Sequence, residues 1–329
     1  MMYFYRSYGI LNESACLEEW KVKKEILQIR NEIGKVIRGK DEIILNVLKA
    51  VLAGGHILLE DIPGVGKTTL AVTLSKTMDL DYHRVQFTPD VLPSDITGFS
   101  MYNAANGEFE YRPGAALCNL FLADEINRTS PKTQSALLEI MEEGRVTVDG
   151  VTHEIPSPFI VIATENPLGS SGTQRMPESQ MDRFLVRLSM GYPDHASAIE
   201  ILKGSGSSAM EHVENVINAE DLMKLRRETA EIYIQDDIYD FIVRLTEETR
   251  KSANLSLGLS PRGSLAMMRM ARANAMVNER DFVSAEDVLK NFKEIAAHRV
   301  VLSPRARTQG MKEEAVLEDI MYMVKAPGV

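Results

Sequence analysis

Lys67 and Thr68 stand directly behind two glycines in the run Pro63-Gly64-Val65-Gly66-Lys67-Thr68-Thr69. Gly64 and Gly66 let a backbone curl until successive N–H groups point at one spot, which suits phosphate oxygens. The N-terminus of the helix that follows the loop adds the positive end of its dipole. Lys67 then reaches the β- and γ-phosphates of a nucleoside triphosphate, and Thr68 offers its hydroxyl to Mg²⁺. Pro63, Val65 and Thr69 complete the loop. The context is the required one: the apolar run Ile57-Leu58-Leu59 reads as a strand before the loop, and Leu70 to Lys76 as a helix behind it. One position departs from the full pattern, which opens on glycine where this chain has Asp61.

A second chemical pair, Asp124-Glu125, ends the apolar run Leu120 to Ala123. Such a run is a buried parallel strand whose carboxyl end faces the nucleotide. Asp124 would hold Mg²⁺, usually through water. Glu125 would orient and deprotonate the attacking water. Phe159 to Thr164 is a third apolar strand, and Asn166 just beyond it could position that water near the γ-phosphate, a reading favoured over the alternative of an Asn in a turn before Pro167. Arg183, at the junction between a helix Pro177–Phe184 and a strand Leu185–Leu188, is expected beside the nucleotide face of the sheet, or else in a salt bridge to its own domain. Ser260-Pro261-Arg262 reads as N-cap, proline at N1 and an arginine in the first turn, from which Arg262 could reach a phosphate.

Several elements must position these residues. Leu17 to Arg38 reads as one or two amphipathic helices, and Glu42 to Ala53 as a helix closed by Gly54-Gly55. His83 to Phe87 is the next strand after the phosphate loop. Two hairpins are expected, with turns at Asn106-Gly107 and Asp149-Gly150. Tyr102, Phe109 and Tyr111 either pack the first hairpin on its own base or form an exposed aromatic contact, with packing favoured. Lys132 to Glu143 is a helix. From Asp194 onward the pattern turns helical, with capping boxes at Asn218 and Ser284. Met267, Met268, Met270 and Met276 fall on one helix as core filling, and His56 reads as a capping or core histidine. The expected division is an extension over 1–24, an α/β nucleotide-binding domain over 25–193 and a helical domain over 194–329.

The chain of 329 residues is long enough for two domains. A net charge of −10 gives no overall basic footprint for nucleic acid. Each hairpin sets two carboxylates against one arginine, which argues against a DNA-tracking loop. Cys16 and Cys118 are too few for a disulfide framework and point to a reducing, cytoplasmic compartment, with Cys118 as a small apolar packer. No apolar run is long enough for a membrane span. The aromatic start, Met1 to Tyr8, has no signal-peptide core.

Taken in order, Pro63 to Thr68, Ala123 to Arg128, Ala163 to Pro167, Asp182 to Leu185 and Ser260 to Arg262 resemble the motifs of the MoxR family of AAA+ ATPases. The similarity runs over about residues 25 to 325, and Ala123 to Leu138 is its most distinctive stretch. The resemblance implies an αβα domain with β-hairpin insertions and a following helical lid. It implies a hexameric ring with ATP bound between subunits. Lys67 and Thr68 then look like Walker A, Asp124 and Glu125 like Walker B, Asn166 like sensor 1, Arg183 like the arginine finger and Arg262 like sensor 2. The hairpins look like pore-facing insertions. The implied activity is ATP hydrolysis with Mg²⁺ in a chaperone-like factor. Such factors act with a von Willebrand A-domain protein to mature, or insert metals into, a client complex. Glu165 departs from the glutamine expected there. Competing functions are a metal-chelatase motor subunit, an MCM-like nucleic-acid motor and an ATP-gated scaffold without turnover; Glu125 speaks against the last.

Overall fold

The structure, a computed structural model, describes residues 24–62, 64–166, 176–203 and 209–328. Pro63, the aromatic start, Leu17, Trp20, Cys16 and the glycines at 169 and 172 lie outside the described residues. Two helices open the described chain, α1 (Lys24–Val36) and α2 (Asp41–Leu52). Strand β1 (Ile57–Glu60) leads through the phosphate loop into α3 (Lys67–Thr77), and β2 (Tyr82–Gln86) follows. A short α4 (Pro93–Thr97) carries the hairpin β3 (Gly98–Asn103) and β4 (Glu108–Pro113). Then come β5 (Leu120–Asp124), α5 (Pro131–Glu143), the hairpin β6 (Arg145–Val148) and β7 (Val151–Glu154), and β8 (Ile160–Glu165). A single-turn α6 (Glu178–Met181), β9 (Val186–Leu188) and α7 (His195–Leu202) complete this part.

Five strands form one sheet in the order β2-β5-β8-β1-β9, and each neighbouring pair is parallel. Their apolar runs are continuous because both faces are covered. Ile57, Leu59, Leu120, Leu122, Ile160 and Ile162 face the core that holds α1, α2 and α3. The alternate residues Leu58, Phe121, Ala123, Val161 and Ala163 face a second core with α5. Parallel register fixes the consequence for function. Glu60 pairs with Glu165 and Gln86 with Asp124, so the carboxyl ends of β1, β8, β5 and β2 lie along one edge. The neighbours of β1 are β8 on one side and β9 on the other, and a crevice opens there in sheets of this kind.

The rest is helical: α8 (Ala219–Glu231), α9 (Asp236–Lys251), α10 (Pro261–Val277), α11 (Ala285–Lys290), α12 (Phe292–Ala296), α13 (Pro304–Thr308) and α14 (Glu313–Met323). Asn218, Ser260 and Ser284 are N-caps as expected, each accepting from a backbone N–H in the first turn. Met267, Met270 and Met276 are buried. An antiparallel pair, β10 (Leu255–Leu257) and β11 (Val301–Leu302), departs from the all-helical expectation, since two short apolar stretches find each other across the lid. The lid is not a free-standing body. It shares one hydrophobic core with α1, α2 and β1. Arg226 donates to Val51 O at 2.8 Å, and Arg269 donates to Ala53 O and Gly54 O at 2.6 Å, capping the carboxyl end of α2.

The first hairpin divides the aromatic residues. Tyr111 packs, donating its hydroxyl to Thr97 O at 2.6 Å and stacking on His153. Tyr102 and Phe109 form an edge-to-face pair on the exposed side, with Phe109 74% exposed. His56 is half-buried and bridges β8 and α5: its Nδ1 accepts from Val161 N at 3.0 Å, which leaves Nε2–H to donate to Met141 O. Cys118 is a buried packer whose thiol pKa burial pushes up to about 12.

Candidate nucleotide site

The loop after β1 is built for close approach. Gly64 and Gly66 have φ of +85° and +97°, a region that disfavours L side chains, and Gly66 caps α3. An added Cβ at Gly64 would meet nothing within 4 Å, so the need for glycine lies in the backbone conformation. The first turn of α3 contains no acidic residue, leaving the positive end of its dipole for an anion. Lys67 is buried at the head of this helix, its Nζ donating to Asp61 O at 2.7 Å. Burial lowers its pKa, while Asp61, Asp124 and Glu125 pull the other way.

Asp61, the departure from the glycine pattern, has a structural task. Its carboxylate accepts from Ser189 Oγ at 3.0 Å, from Gly191 N at 3.2 Å and from Met190 N. Its own N–H donates to Glu165 O at 3.1 Å. The residue ties the start of the phosphate loop to β8 and to the segment after β9.

Asp124 and Glu125 come to the same edge. Thr164, fully buried on β8, donates its hydroxyl to Asp124 Oδ1 at 2.7 Å and accepts from Glu125 N at 2.8 Å. Glu125 has φ of +55°, uncommon for a residue with a side chain, and opens a 3₁₀ turn over Ile126–Arg128. Both carboxylates have cationic partners: Arg84 Nη2 lies 2.7 Å from Asp124 Oδ2, and Arg128 Nη1 lies 2.8 Å from Glu125 Oε2. Gln86 Nε2 also donates to Glu125, at 3.0 Å. Asn166 stands one residue past the end of β8, its carbonyl accepting from Asn127 Nδ2 at 3.4 Å. Lys67, Thr68, Asp124, Glu125 and Asn166 therefore share one edge of the sheet. The oxygen donors suit a hard cation such as Mg²⁺. Among the described residues no group of three or more His, Cys, Asp or Glu could hold a metal. An ion here would complete its shell from phosphate oxygens and water, as Mg²⁺ commonly does.

The two arginines are elsewhere, which corrects the expected place of Arg183 beside the nucleotide face. The helix Pro177–Phe184 shrinks to the single turn α6, and Arg183 precedes β9. Leu185 N donates to His56 O, and Val186 pairs with Ile57. Arg183 therefore lies at the amino ends of β1 and β9, with the length of β1, roughly 13 Å, between it and the phosphate loop. A residue leading into a parallel strand must lie at that end. Arg262, at the start of α10, is there too. Both arginines are ion-paired with Glu142 on α5, and Arg183 also donates to Leu138 O at 3.4 Å. Burial, and next the neighbouring Arg262, lower the pKa of Arg183. The salt bridge to its own domain is present. These side chains border a cleft of about 330 Å³ that Arg269 and Arg299 also line.

Sequence reasoning missed Thr164, Arg84, Arg128, Gln86, Glu142 and Asp182. Thr164 carried a signal, being the polar end of an apolar run beside Asn166. The others act through contacts between residues distant in the chain, or lie on turns without a pattern.

Residues 56–186 match the model of the ATPase family associated with various cellular activities, AAA, and residues 247–320 match the AAA lid domain. Chaperone MoxR1 of Mycobacterium tuberculosis is 36% identical over 91% of this chain and 81% of its own. Protein YeaC of Bacillus subtilis is 48% identical over 90% of this chain and 92% of its own. A crystal structure of a protein from Cytophaga hutchinsonii, assigned as an ATPase, superposes with a TM-score of 0.84 at 36% identity, covering 92% of this chain and 97% of that one. A full-length MCM homologue from Methanopyrus kandleri, at 17% identity and a TM-score of 0.56 over 84% of this chain and 62% of its own, shares the fold alone. With the phosphate loop, the Asp-Glu strand end and the helical lid in this order, the chain belongs to the MoxR family of AAA+ ATPases.

Proposed function

We propose that this chain hydrolyses ATP at a site made by two copies, and uses the energy to remodel a partner protein complex. The observation that carries the reading is the separation within one chain. Lys67, Thr68, Asp124, Glu125 and Asn166 stand at the carboxyl edge of the sheet, while Arg183 and Arg262 are paired at the opposite end. Lys67, Thr68 and the loop N–H groups of Gly64, Val65 and Gly66 hold the triphosphate, with Thr69 next along the helix. Thr68 and Asp124 hold Mg²⁺, which would neutralise charge on the phosphates. Glu125 takes the proton of the attacking water and Asn166 orients it. Arg183 and Arg262 cannot reach their own phosphate loop, so they serve a neighbour's as finger and second sensor. The MoxR resemblance supports a hexameric ring, a von Willebrand A-domain protein as partner, and maturation or metal insertion of a client as the task. The exposed pair Tyr102–Phe109 gives the first hairpin an apolar grip suited to protein.

A nucleic-acid motor is less well supported, because the hairpin arginines are spoken for: Arg112 pairs with Glu110 at 3.4 Å and Arg145 with Glu143 at 3.1 Å. The shared-site reading is tested by mixing Arg183→Ala with Glu125→Gln protein. Each variant alone lacks one half of the site, and Arg183→Ala is expected to lose about 10³-fold in rate. Mixed interfaces that pair an intact Glu125 with an intact Arg183 recover turnover. No recovery in rings proven to be mixed refutes the reading.

A further inference from the structure

We propose that Asp182 is a positioning residue that sets Arg183 and Arg262 as one unit, an inference that rests on the shared-site reading above. The two arginines belong to different parts of the chain, yet one carboxylate touches the supports of both. Asp182 Oδ2 accepts from Ser260 Oγ at 2.9 Å, and Ser260 is the N-cap of α10, whose second residue is Arg262. Asp182 Oδ1 accepts from Arg299 Nε at 2.7 Å. The Arg299 side chain is 2% exposed and also donates to Phe184 O at 2.5 Å and to Leu185 O at 3.1 Å. His298 Nε2 lies 3.1 Å from the same Phe184 carbonyl. The backbone on either side of Arg183 is thus bolted to the lid, while its guanidinium points outward to Glu142. Two like charges meet at that carboxylate, and their repulsion must be held by something rigid. Glu142 is the exposed partner, 41% exposed, and can exchange for an incoming phosphate; Asp182 is the enclosed one, 19% exposed. A buried charge pair fully bonded to carbonyls is costly to rearrange. The unit therefore keeps its geometry while Glu142 is replaced.

The link is cut with least damage at Ser260. Ser260→Gly keeps a residue accepted at N-caps but removes the hydroxyl. Turnover in the full-length assembled protein is expected to fall about ten- to a hundred-fold in kcat, the scale of a misplaced catalytic group. KM for ATP and the affinity for a fluorescent nucleotide shift far less than kcat, because the neighbour's Lys67 and loop N–H groups hold the ground state while the two arginines act on charge that develops in the transition state. Ser260→Thr restores the hydroxyl and turnover. In an Arg262→Ala background, followed under single-turnover conditions, Ser260→Gly adds no further loss. Asp182→Asn should lower kcat more than Ser260→Gly, since it weakens both supports. Unchanged kcat in Ser260→Gly, failure of threonine to rescue, or an equal loss with and without Arg262 would each overturn the proposal. Absence of recovery in the Arg183→Ala and Glu125→Gln mixture would instead remove the reading on which it rests.

Discussion

In the proposed mechanism Glu125 and Lys67 divide the chemistry between them, and the division predicts different failures. Lys67→Ala removes the buried cation at the head of α3 and is expected to abolish measurable ATP binding. Glu125→Gln keeps shape and charge contacts at the phosphates but has no base, so ATP binds while turnover falls by about 10²–10⁴. Isothermal titration and phosphate release on both variants check this; normal hydrolysis with glutamine at 125 would take Glu125 out of the mechanism. His56 makes a prediction of another kind. Burial lowers its pKa from 6.5 to about 4. The folded chain therefore binds fewer protons than the unfolded chain between those values, and stability falls as pH drops through that window. The shift corresponds to roughly 3 kcal/mol, present in full above pH 6.5 and gone below about 4. His298, also shifted down by burial, acts in the same direction. A His56→Leu variant should be less stable at neutral pH, having lost both hydrogen bonds. Its denaturation midpoint should then depend less on pH between 6.5 and 4 than that of the unaltered chain.

Among elements, the strands were the most legible. β1, β5 and β8 announce themselves as apolar runs because both sheet faces are buried, and their chemistry follows because Asp124 and Asn166 stand at the carboxyl ends. The hairpins were readable from Asn106-Gly107 and Asp149-Gly150, and three lid helices from their caps. What stayed hidden was tertiary. Nothing near Arg183 in the chain tells of Glu142, and nothing near Ser260 tells of Asp182. The role of Asp61 was hidden too, since its partners Ser189 to Gly191 are brought alongside only by the parallel pairing of β1 with β9. The contact between α2 and the lid offers a test at this scale. Arg269 makes charge-assisted bonds to the last carbonyls of α2, each of a kind that contributes about 1.5–3 kcal/mol. Relief of repulsion with Arg226 offsets part of the loss, since both guanidiniums are buried close together. Arg269→Met is expected to destabilise by about 1–2 kcal/mol in urea unfolding, with nucleotide affinity unchanged. A loss of nucleotide binding instead would mean that lid docking reaches the phosphate loop.

At the scale of the whole molecule, the described residues form the sheet domain and the helical lid that shares its core. Phe99, Met101, Tyr102 and Phe109 on the first hairpin are among the molecule's exposed apolar residues. We expect the proposed partner, a von Willebrand A-domain protein, to bind more tightly in one nucleotide state than in another, because only such a difference couples docking to ATP. Linkage makes the expectation two-sided: whatever factor ATP adds to partner affinity, the partner must add to ATP affinity. Binding measured with ATP, with ADP and without nucleotide checks it. Equal affinities in all three would end the gating idea.

The placement of the phosphate loop and the arginine pair at opposite ends of one parallel sheet gives the subunit a polarity. On the shared-site proposal, each copy receives help at one end and gives it at the other. Two copies meeting through identical patches would leave donor against donor or acceptor against acceptor, so the productive contact is heterologous, head to tail. On that proposal such a contact repeats from copy to copy, closing into a ring where the rotation allows, and every subunit is then both donor and acceptor. The proposal expects damage to be displaced: a subunit carrying Arg183→Ala keeps its own phosphate loop whole and silences the site next door.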